Sequence, residues 1–393
     1  MSPNTFATFS GPDGGLVNAP CESSNTTDRK TPKYDWNIHH DRAFGNAVSL
    51  YEFNKEHNCR TGSPIADVFA IHATENGAIL ALADGVNWGP KPRLAAQCGV
   101  RGCMEYLQEQ FFDNDCHPKN THEVFKILRT SLDHGQNLIL NTEATLTTIC
   151  LAVVVQLRKT DQFVLCVVNV GDSLAYVYSP MHGVREVTTG CRDLLHDRDL
   201  RECGGALGPA VGEDPDLDNL TFSFTMLEHD DVVFLASDGI TDNFDPAMAM
   251  TARVKDFKFK TLDENLPLIE TADRQTHTTQ AMSEMLERSG KHEPGEDTAM
   301  MVCGRFVQYV VKLTNPYRDS LEKYHARMHK DSLAEEESKL TNEERMELDS
   351  QRKKAIYTLP GKLDHASMVA FTVGNQQQEC ISLKDQELVV YPP

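Results

Sequence analysis

Two apolar runs, ADVFAIHA (66–73) and GAILALA (77–83), are separated by only three residues. Each has the length of a strand, and so short a link cannot carry the crossover that parallel neighbours need, so the pair is predicted to be antiparallel. The same pattern recurs along the chain. NAVSLYE (46–52) precedes the pair, and TLTTICLAVVVQL, QFVLCVVNVGDSLAYVYSP and GVREVTT read as three further strands joined by short turns. LTFSFTML and DDVVFLASDG follow after a polar segment. A helix is predicted over about 91–109, where Leu94, Ala95, Cys98, Val100, Cys103, Tyr106 and Leu107 form a stripe able to pack on a sheet. A second is predicted around EVFKILRTSLDHGQNLIL. Short strands, tight turns and a few amphipathic helices imply a layered α+β fold with antiparallel sheets, and no internal repeat of fixed period is visible.

With 40% hydrophobic residues among 393, the chain has ample material for a core. No run of apolar residues is long enough to span a membrane, and the N-terminal MSPNTFATFSGPDGGLVNAP lacks the basic and apolar segments of a secretory signal. A cytoplasmic location, or a nuclear one, is expected. The eleven cysteines show no C-x-x-C pair and several sit in apolar runs, so they are expected to be reduced and mostly buried thiols. A net charge of −20 opposes a phosphate backbone and an anionic lipid surface alike, which argues against nucleic acid and membrane as partners; a monomer is the default. Residues 1–44, rich in Ser, Thr, Asn, Pro and Gly, are expected to be a flexible tail, 45–375 the ordered domain, and 376–393 a second tail. Within the domain, about 318–357 is highly charged and is expected to be an exposed insertion, helical in part or disordered.

Three apolar strands run straight into an acid: AILALADG into Asp84 and Gly85, VLCVVNVGDS into Asp172, and VVFLASDGITD into Asp238, Gly239 and Asp242. One Asp-Gly at a strand end is ordinarily a turn, because Gly accepts positive φ and Asp bonds its own backbone. Three together suit a hard divalent cation such as Mg²⁺ or Mn²⁺, which takes several oxygen ligands and can make water a nucleophile for hydrolysis. His39 and His40 have no partner spacing for zinc, and Cys191 and Cys203 lack the neighbours a nucleophile or ligand needs.

The ordered series ADG, TTICLAVV, NVGDS, GGALG and LASDGITD resembles the metal-dependent serine/threonine protein phosphatases of type 2C, over roughly residues 45–375. The resemblance implies a four-layer α-β-β-α sandwich of two antiparallel sheets flanked by helices, with two Mg²⁺ or Mn²⁺ ions at one end. A water between the ions would attack phosphoserine or phosphothreonine of a phosphoprotein substrate. By position, Asp84 matches the acid bridging both ions, with the Gly85 carbonyl as a further ligand, and Asp238 matches the ligand of the first ion. Asp172 and Asp242 match acids that hold a weaker third ion in some family members. Thr147 and Thr148 fall in a structural strand motif, and Gly204 and Gly205 in a segment flanking the cleft.

The family's last metal ligand opens its final core strand, in a pattern like D-N-x-[ST]. Two stretches compete. In GEDTAMMVCG, Glu296 and Asp297 precede apolar residues Met300, Cys303, Phe306, Val307, Val310 and Leu313, whose spacing predicts a helix ending before Pro316, with the two acids in its first turn. In GKLDHASMVAFTV, Asp364 is followed by Ser367 and a run of strand length, and Asp364 is the expected ligand. Two departures bear on activity. Val86 stands where the family carries a His able to act as general acid, a loss that typically costs about 10² to 10⁴ in rate. Ala66 replaces a metal-binding Glu, leaving Asp67 to reach the second ion directly or through water. The family's phosphate-binding Arg falls at Gly62; Arg60, two residues upstream, either takes that role bidentately or is an ordinary surface arginine. Two functions follow: a metal-dependent phosphoprotein phosphatase, or a catalytically weak or inactive phosphatase-like domain that binds or regulates.

Overall fold

Period-two alternation with both sets of side chains apolar requires a sheet covered on each face, and the chain builds two such sheets. The computed structural model describes residues 5–12, 40–113, 118–158, 160, 162–188, 203–255, 260, 264–287, 297–334 and 339–374. Its main elements are β1 (Thr5–Gly11), β2 (Ala43–Ser49), β3 (Val68–Thr74), β4 (Gly77–Ala83), α1 (Pro90–Gln108), α2 (Thr121–Asn141), β5 (Ile149–Gln156) and β6 (Phe163–Val170). They continue with β7 (Leu174–Ser179), β8 (Gly183–Glu186), β9 (Thr221–Leu227), β10 (Val232–Ala236), α3 (Arg274–Glu287), α4 (Ala299–Ser332), α5 (Asn342–Thr358) and β11 (His365–Thr372).

One sheet has the order β1-β3-β4-β5-β6-β9 and the other β8-β7-β10-β11-β2, with every adjacent pair antiparallel. Phe69, Ile71, Leu80, Leu82, Val177, Leu235, Val369 and Phe371 fill the space between the sheets. The opposite face of the first sheet, with Val68, Ala70, Ile79 and Leu151, packs on α1 and α2 through Cys103, Leu128 and Ile139. The outer face of the second, with Tyr176, Phe234 and Met368, packs on Met282 of α3 and Phe306 and Val310 of α4. The result is the expected α-β-β-α sandwich. Cys98, Cys103, Cys150, Cys166 and Cys303 are buried and outside any disulfide, as thiols of apolar runs should be.

Four local expectations are corrected. Residues 5–11 are not part of a tail: β1 pairs with β3 as an edge strand, and Ala7 and Phe9 are buried between the sheets, a short alternation that the surrounding polar composition hid. The first strand of the second sheet is Ala43–Ser49 rather than 46–52. QFVLCVVNVGDSLAYVYSP is two strands in different sheets, because Gly171 turns the chain at φ 101° between β6 and β7. The helix that begins after Thr298 does not stop before Pro316 but runs to Ser332. Proline removes one backbone donor and normally kinks or ends a helix. Here Arg318 anchors the far side, donating to the carbonyls of Leu50 at 3.5 Å and Val311 at 3.4 Å. The charged insertion is therefore helical: the second half of α4, then α5, which opens with a capping box between Thr341 and Glu344. The residues expected to form the C-terminal tail, 376–393, lie outside the described residues.

Phe9→Ala tests the placement of β1. A core phenylalanine loses about 3–5 kcal/mol on truncation, so urea unfolding should show a loss of that order; a change within about 0.5 kcal/mol, the range of a surface substitution, would return residues 5–11 to a tail.

Candidate active site

Asp84 leaves the end of β4 with its backbone fixed by the two threonines before β5. Its N–H donates to Thr148 Oγ1 at 3.1 Å, and its carbonyl accepts from Thr148 N–H at 2.8 Å and Thr147 Oγ1 at 2.9 Å. Gly85 bridges to Thr147, and a Cβ there would stand 2.5 Å from the Pro92 carbonyl oxygen, so the approach of α1 requires glycine. At the end of β10, Ser237 locks onto β11 through Ser237 N–H to the Ser367 carbonyl and Ser367 N–H to Ser237 Oγ, both 3.0 Å. Asp238 follows on a helical turn, Asp238–Thr241, continued by Asp242–Phe244. That turn lies against the start of β11, where a Cβ on Gly239 would be 1.9 Å from the His365 carbonyl oxygen.

Asp364 immediately precedes β11, and its carbonyl accepts from Leu50 N–H at 2.8 Å. Its Oδ1 accepts from His365 N–H at 2.8 Å and from the Tyr51 hydroxyl at 3.1 Å; Trp88 Nε1–H in turn donates to that hydroxyl at 2.9 Å. Asp67, just before β3, is fully buried; neither of its carboxylate oxygens has a partner at full hydrogen-bond geometry, and only the Ser367 and Ser237 hydroxyls act on it as weaker donors. Asp172 sits in the turn between β6 and β7, and with Asp67, Asp238 and Asp364 it acts electrostatically on Asp84.

The six acids expected at the site, Asp67, Asp84, Asp172, Asp238, Asp242 and Asp364, thus come together where the two sheets meet. Burial, then the fields of Asp67, Asp238, Asp364 and Asp172, hold the Asp84 carboxyl well above the usual carboxylate range. Burial does the same to Asp238, with Lys362 pulling it down and Asp364, Asp172 and Asp242 pushing it up. Asp67 is raised mainly by burial, opposed by His365 and reinforced by Asp364.

Sequence reasoning missed the cation among these acids. The Lys362 ammonium is ion-paired to Asp238, to Asp242 Oδ2 at 3.0 Å and to Asp364 Oδ2 at 3.1 Å. As the side chains stand, no three His, Cys, Asp or Glu groups among the described residues are placed to hold a metal ion, and the point shared by Asp238, Asp242 and Asp364 is taken by that ammonium. A signal was present: residues two apart on an extended segment face the same way, so a lysine two before a candidate ligand points toward the same site. Tyr51 was also missed as a partner of Asp364, because that contact spans 313 residues of sequence, and with it Trp88, which donates to the Tyr51 hydroxyl.

Other expected residues lie elsewhere or act differently. Arg60 donates from Nη1 to the Tyr51 carbonyl at 2.7 Å and lies 4.0 Å from Glu322 of α4, the behaviour of a structural surface arginine. Asp297 pairs with Arg305 at 2.6 Å and accepts from the Tyr178 hydroxyl at 3.0 Å, well occupied and not among the six. It precedes the α4 N-cap Thr298 and so lies two positions before the first turn, which opens at Ala299, rather than within it. Val86 N–H donates to the Leu146 carbonyl, and Ala66 N–H donates to His365 Nδ1 at 3.3 Å. Gly204 has φ 73° and packs with Gly205 on the side chain of Asn219, which also holds the Gly171 turn. His40 pairs with Asp41 at 2.9 Å, and Cys203 is half-buried. His39, Cys191 and Glu296 lie outside the described residues.

The fold and the strand-end acids define a class of phosphatase-type domain, and comparison with known proteins places the chain within it. Residues 56–287, more than half of the chain, match the family model of protein phosphatase 2C, and the chain belongs to that family. It is 43% identical over 260 residues to the PP2C-like domain-containing protein CG9801 of Drosophila melanogaster; the match covers 65% of this chain but only 37% of that protein. Among solved structures, it is similar to the photosystem II phosphatase PBCP (TM-score 0.43, 15% identity, 85% of this chain and 100% of that one). It is similar also to the catalytic domain of the serine/threonine protein phosphatase PstP in complex with two manganese ions (TM-score 0.39, 12% identity, 85% and 98%).

The raised carboxyl of Asp84 has a consequence for stability. In chelator, the folded state holds a proton that the unfolded state releases near the ordinary carboxylate value, so this group lowers stability as pH rises. Asp84→Asn should therefore be more stable than wild type by a margin that is small near about pH 4 and grows toward about pH 8. Urea midpoints across that range measure it, and a margin independent of pH would contradict it.

Proposed function

We propose that this domain is a divalent-cation-dependent phosphatase acting on phosphoserine and phosphothreonine in proteins, with low turnover. The observation that carries the reading is the cluster of like charges: carboxylates at the ends of β4 and β10 and before β3 and β11, with Asp238 and Asp67 buried, Asp84 and Asp364 half-buried, and Asp84, Asp238 and Asp67 held above their normal pKa. Such a group favours a cation.

The residues fit Mg²⁺ or Mn²⁺ in donor chemistry, being hard oxygens throughout. Both oxygens of Asp67 and Oδ1 of Asp238 are buried acceptors without a partner at full hydrogen-bond geometry, which bound cations would satisfy. Asp84, the Gly85 carbonyl, Asp238 and Asp364 would hold two ions, with Asp67 assisting; Asp172 and Asp242 would serve a weaker third. The bound cations supply Lewis acidity at the phosphoryl oxygens and lower the pKa of water. The chain's own residues do the rest. Thr147 and Thr148 orient Asp84, the Ser237–Ser367 pair sets the spacing of Asp238 from Asp364, and Tyr51 donates to Asp364 on the oxygen turned away from Lys362. Val86 offers no proton to a leaving alkoxide, and Arg60 is committed to the Tyr51 carbonyl, so turnover should lie roughly 10² to 10⁴ below that of an enzyme with a general acid.

A phosphoprotein is the partner that the net charge of −20 leaves open, whereas nucleic acid and anionic lipid are repelled. No helix among the described residues is long and apolar enough to cross a membrane, and a cytoplasmic or nuclear site of action is part of this proposal. A second reading, a domain that binds phosphorylated partners without turning them over, is favoured by one observation: the Lys362 ammonium among three of the acids.

Phosphate release from a phosphothreonine peptide in Mn²⁺ separates the two. Wild type should release phosphate slowly, and Asp84→Asn and Asp238→Asn should fall by at least the roughly 100-fold that loss of an outer-shell partner costs. A wild-type rate equal to that of Asp238→Asn rejects turnover, and peptide binding without release then favours the second reading. Because carboxylates must lose protons to bind a cation, Mn²⁺ affinity by calorimetry should also tighten as pH rises from about 5 to about 7.5; a flat profile would place the ion elsewhere.

A further inference from the structure

Lys362 is not a surface lysine that happens to fall near acids. Its backbone is held on both sides by Asn243, a fully buried residue: Asn243 Oδ1 accepts from Lys362 N–H at 2.8 Å, and Asn243 Nδ2 donates to the Lys362 carbonyl at 3.1 Å. The same Nδ2 donates to the Gly239 carbonyl at 2.7 Å, so one amide ties the lysine to the turn that carries Asp238 and Asp242. Before it, Gly361 sits at φ 94° with its N–H bonded to the Met248 carbonyl at 2.8 Å, in a place where a Cβ would meet Thr314 of α4 at 2.7 Å. The segment leading into β11 is thereby clamped from two sides. Its side chain is directed inward, and only 18% of it is exposed.

Three carboxylates from two segments share the one ammonium, at 3.0 Å for Asp242 and 3.1 Å for Asp364 with Asp238 in direct contact. An ammonium and a divalent cation cannot occupy neighbouring points of one buried acid cluster without strong repulsion. We propose that Lys362 is a tethered cation seated at the position of the first metal ion, so that a divalent cation enters between Asp238 and Asp364 only by displacing the lysine head. The inference rests on the cation-dependent reading above and deepens it. The lysine stabilises the metal-free fold by neutralising charges that would otherwise repel, and it sets a threshold cation concentration for completing the site. Its aliphatic stem lets the head withdraw while the Asn243 clamp keeps the backbone in place.

Calorimetric titration of Mn²⁺ into wild type, Lys362→Met, Lys362→Gln and Asp84→Asn tests this. Both lysine variants should bind Mn²⁺ about tenfold or more tightly than wild type, and their melting temperatures should be lower than wild type in chelator yet gain more from added Mn²⁺. Equal affinity in wild type and lysine variants overturns the displacement of Lys362 and leaves the cation-dependent reading standing. No binding by wild type or by either variant overturns both. Should the variants not fold, wild type alone decides: acetylation of Lys362 by an amine-reactive ester, followed by mass spectrometry, should rise with Mn²⁺ as the head is expelled. Labelling unchanged at saturating Mn²⁺ would overturn the proposal.

Discussion

Six carboxylates gathered where two sheets meet repel one another, and the arrangement of this end of the molecule follows from how that repulsion is contained. An isolated buried carboxylate is expensive, and several within reach of each other are more so unless protons or cations intervene. Both remedies are visible. Burial and the charges of four neighbouring acids raise the carboxyl of Asp84 toward the protonated form, while Lys362 supplies a positive charge to Asp238, Asp242 and Asp364 and opposes the upward push of burial on Asp238. The scaffold holds the acids together regardless. The Thr147 and Thr148 bonds to Asp84, the Ser237–Ser367 lock and the close approach of Gly239 to β11 are fixed by the sheets, not by the charges they present.

Such a cluster costs stability and is retained only where the rest of the core is large enough to carry it. The three apolar layers provide that core. Phe69, Leu80, Leu235 and Phe371 between the sheets, and Phe306 with Phe234 under the second sheet, are almost wholly removed from water. The acid-bearing turns sit at the rim of these layers rather than inside them, so their conformations are set by strand ends already rigid. This is why an acid at the end of an apolar strand is positioned so reproducibly, and why the same residue in a loop would not be.

Much of the fold and the acids themselves were legible because both depend on short-range pattern. Strand-length runs with links too short to cross over dictate antiparallel pairing, and an Asp after the last apolar residue of a strand must emerge at the sheet end. The placement of Asp364 before a strand and of Asp297 before a helix was legible for the same reason: period two after one acid, period three to four after the other; Asp364 joins the acid cluster through Lys362, and Asp297 pairs with Arg305 outside it. What escaped depends on distance in sequence or on local override. β1 is a short alternation inside a polar segment, the division of QFVLCVVNVGDSLAYVYSP hangs on the φ of Gly171, and α4 passes Pro316 with Arg318 anchoring it to Leu50. Arg60 had two readings, and its contact with the Tyr51 carbonyl, nine residues away, is tertiary.

Lys362 sharpens the distinction between a family's scaffold and its chemistry. The acids that match the family are held by backbone geometry, so they persist whether or not the site turns over. The residues that would decide turnover are side chains with no such obligation, and here Val86, Ala66 and Arg60 contribute neither an acid, a ligand nor a free guanidinium to the cluster. Against that background a lysine bound to three of the acids is informative. A monovalent ammonium on a flexible stem satisfies the acids less fully than a dication, because it adds half the charge and leaves acceptors such as Asp238 Oδ1 and both Asp67 oxygens without partners at full hydrogen-bond geometry. The cluster is therefore neutralised enough to fold and still short of the charge that would satisfy it, which is the condition under which a stronger cation can compete for the same seat.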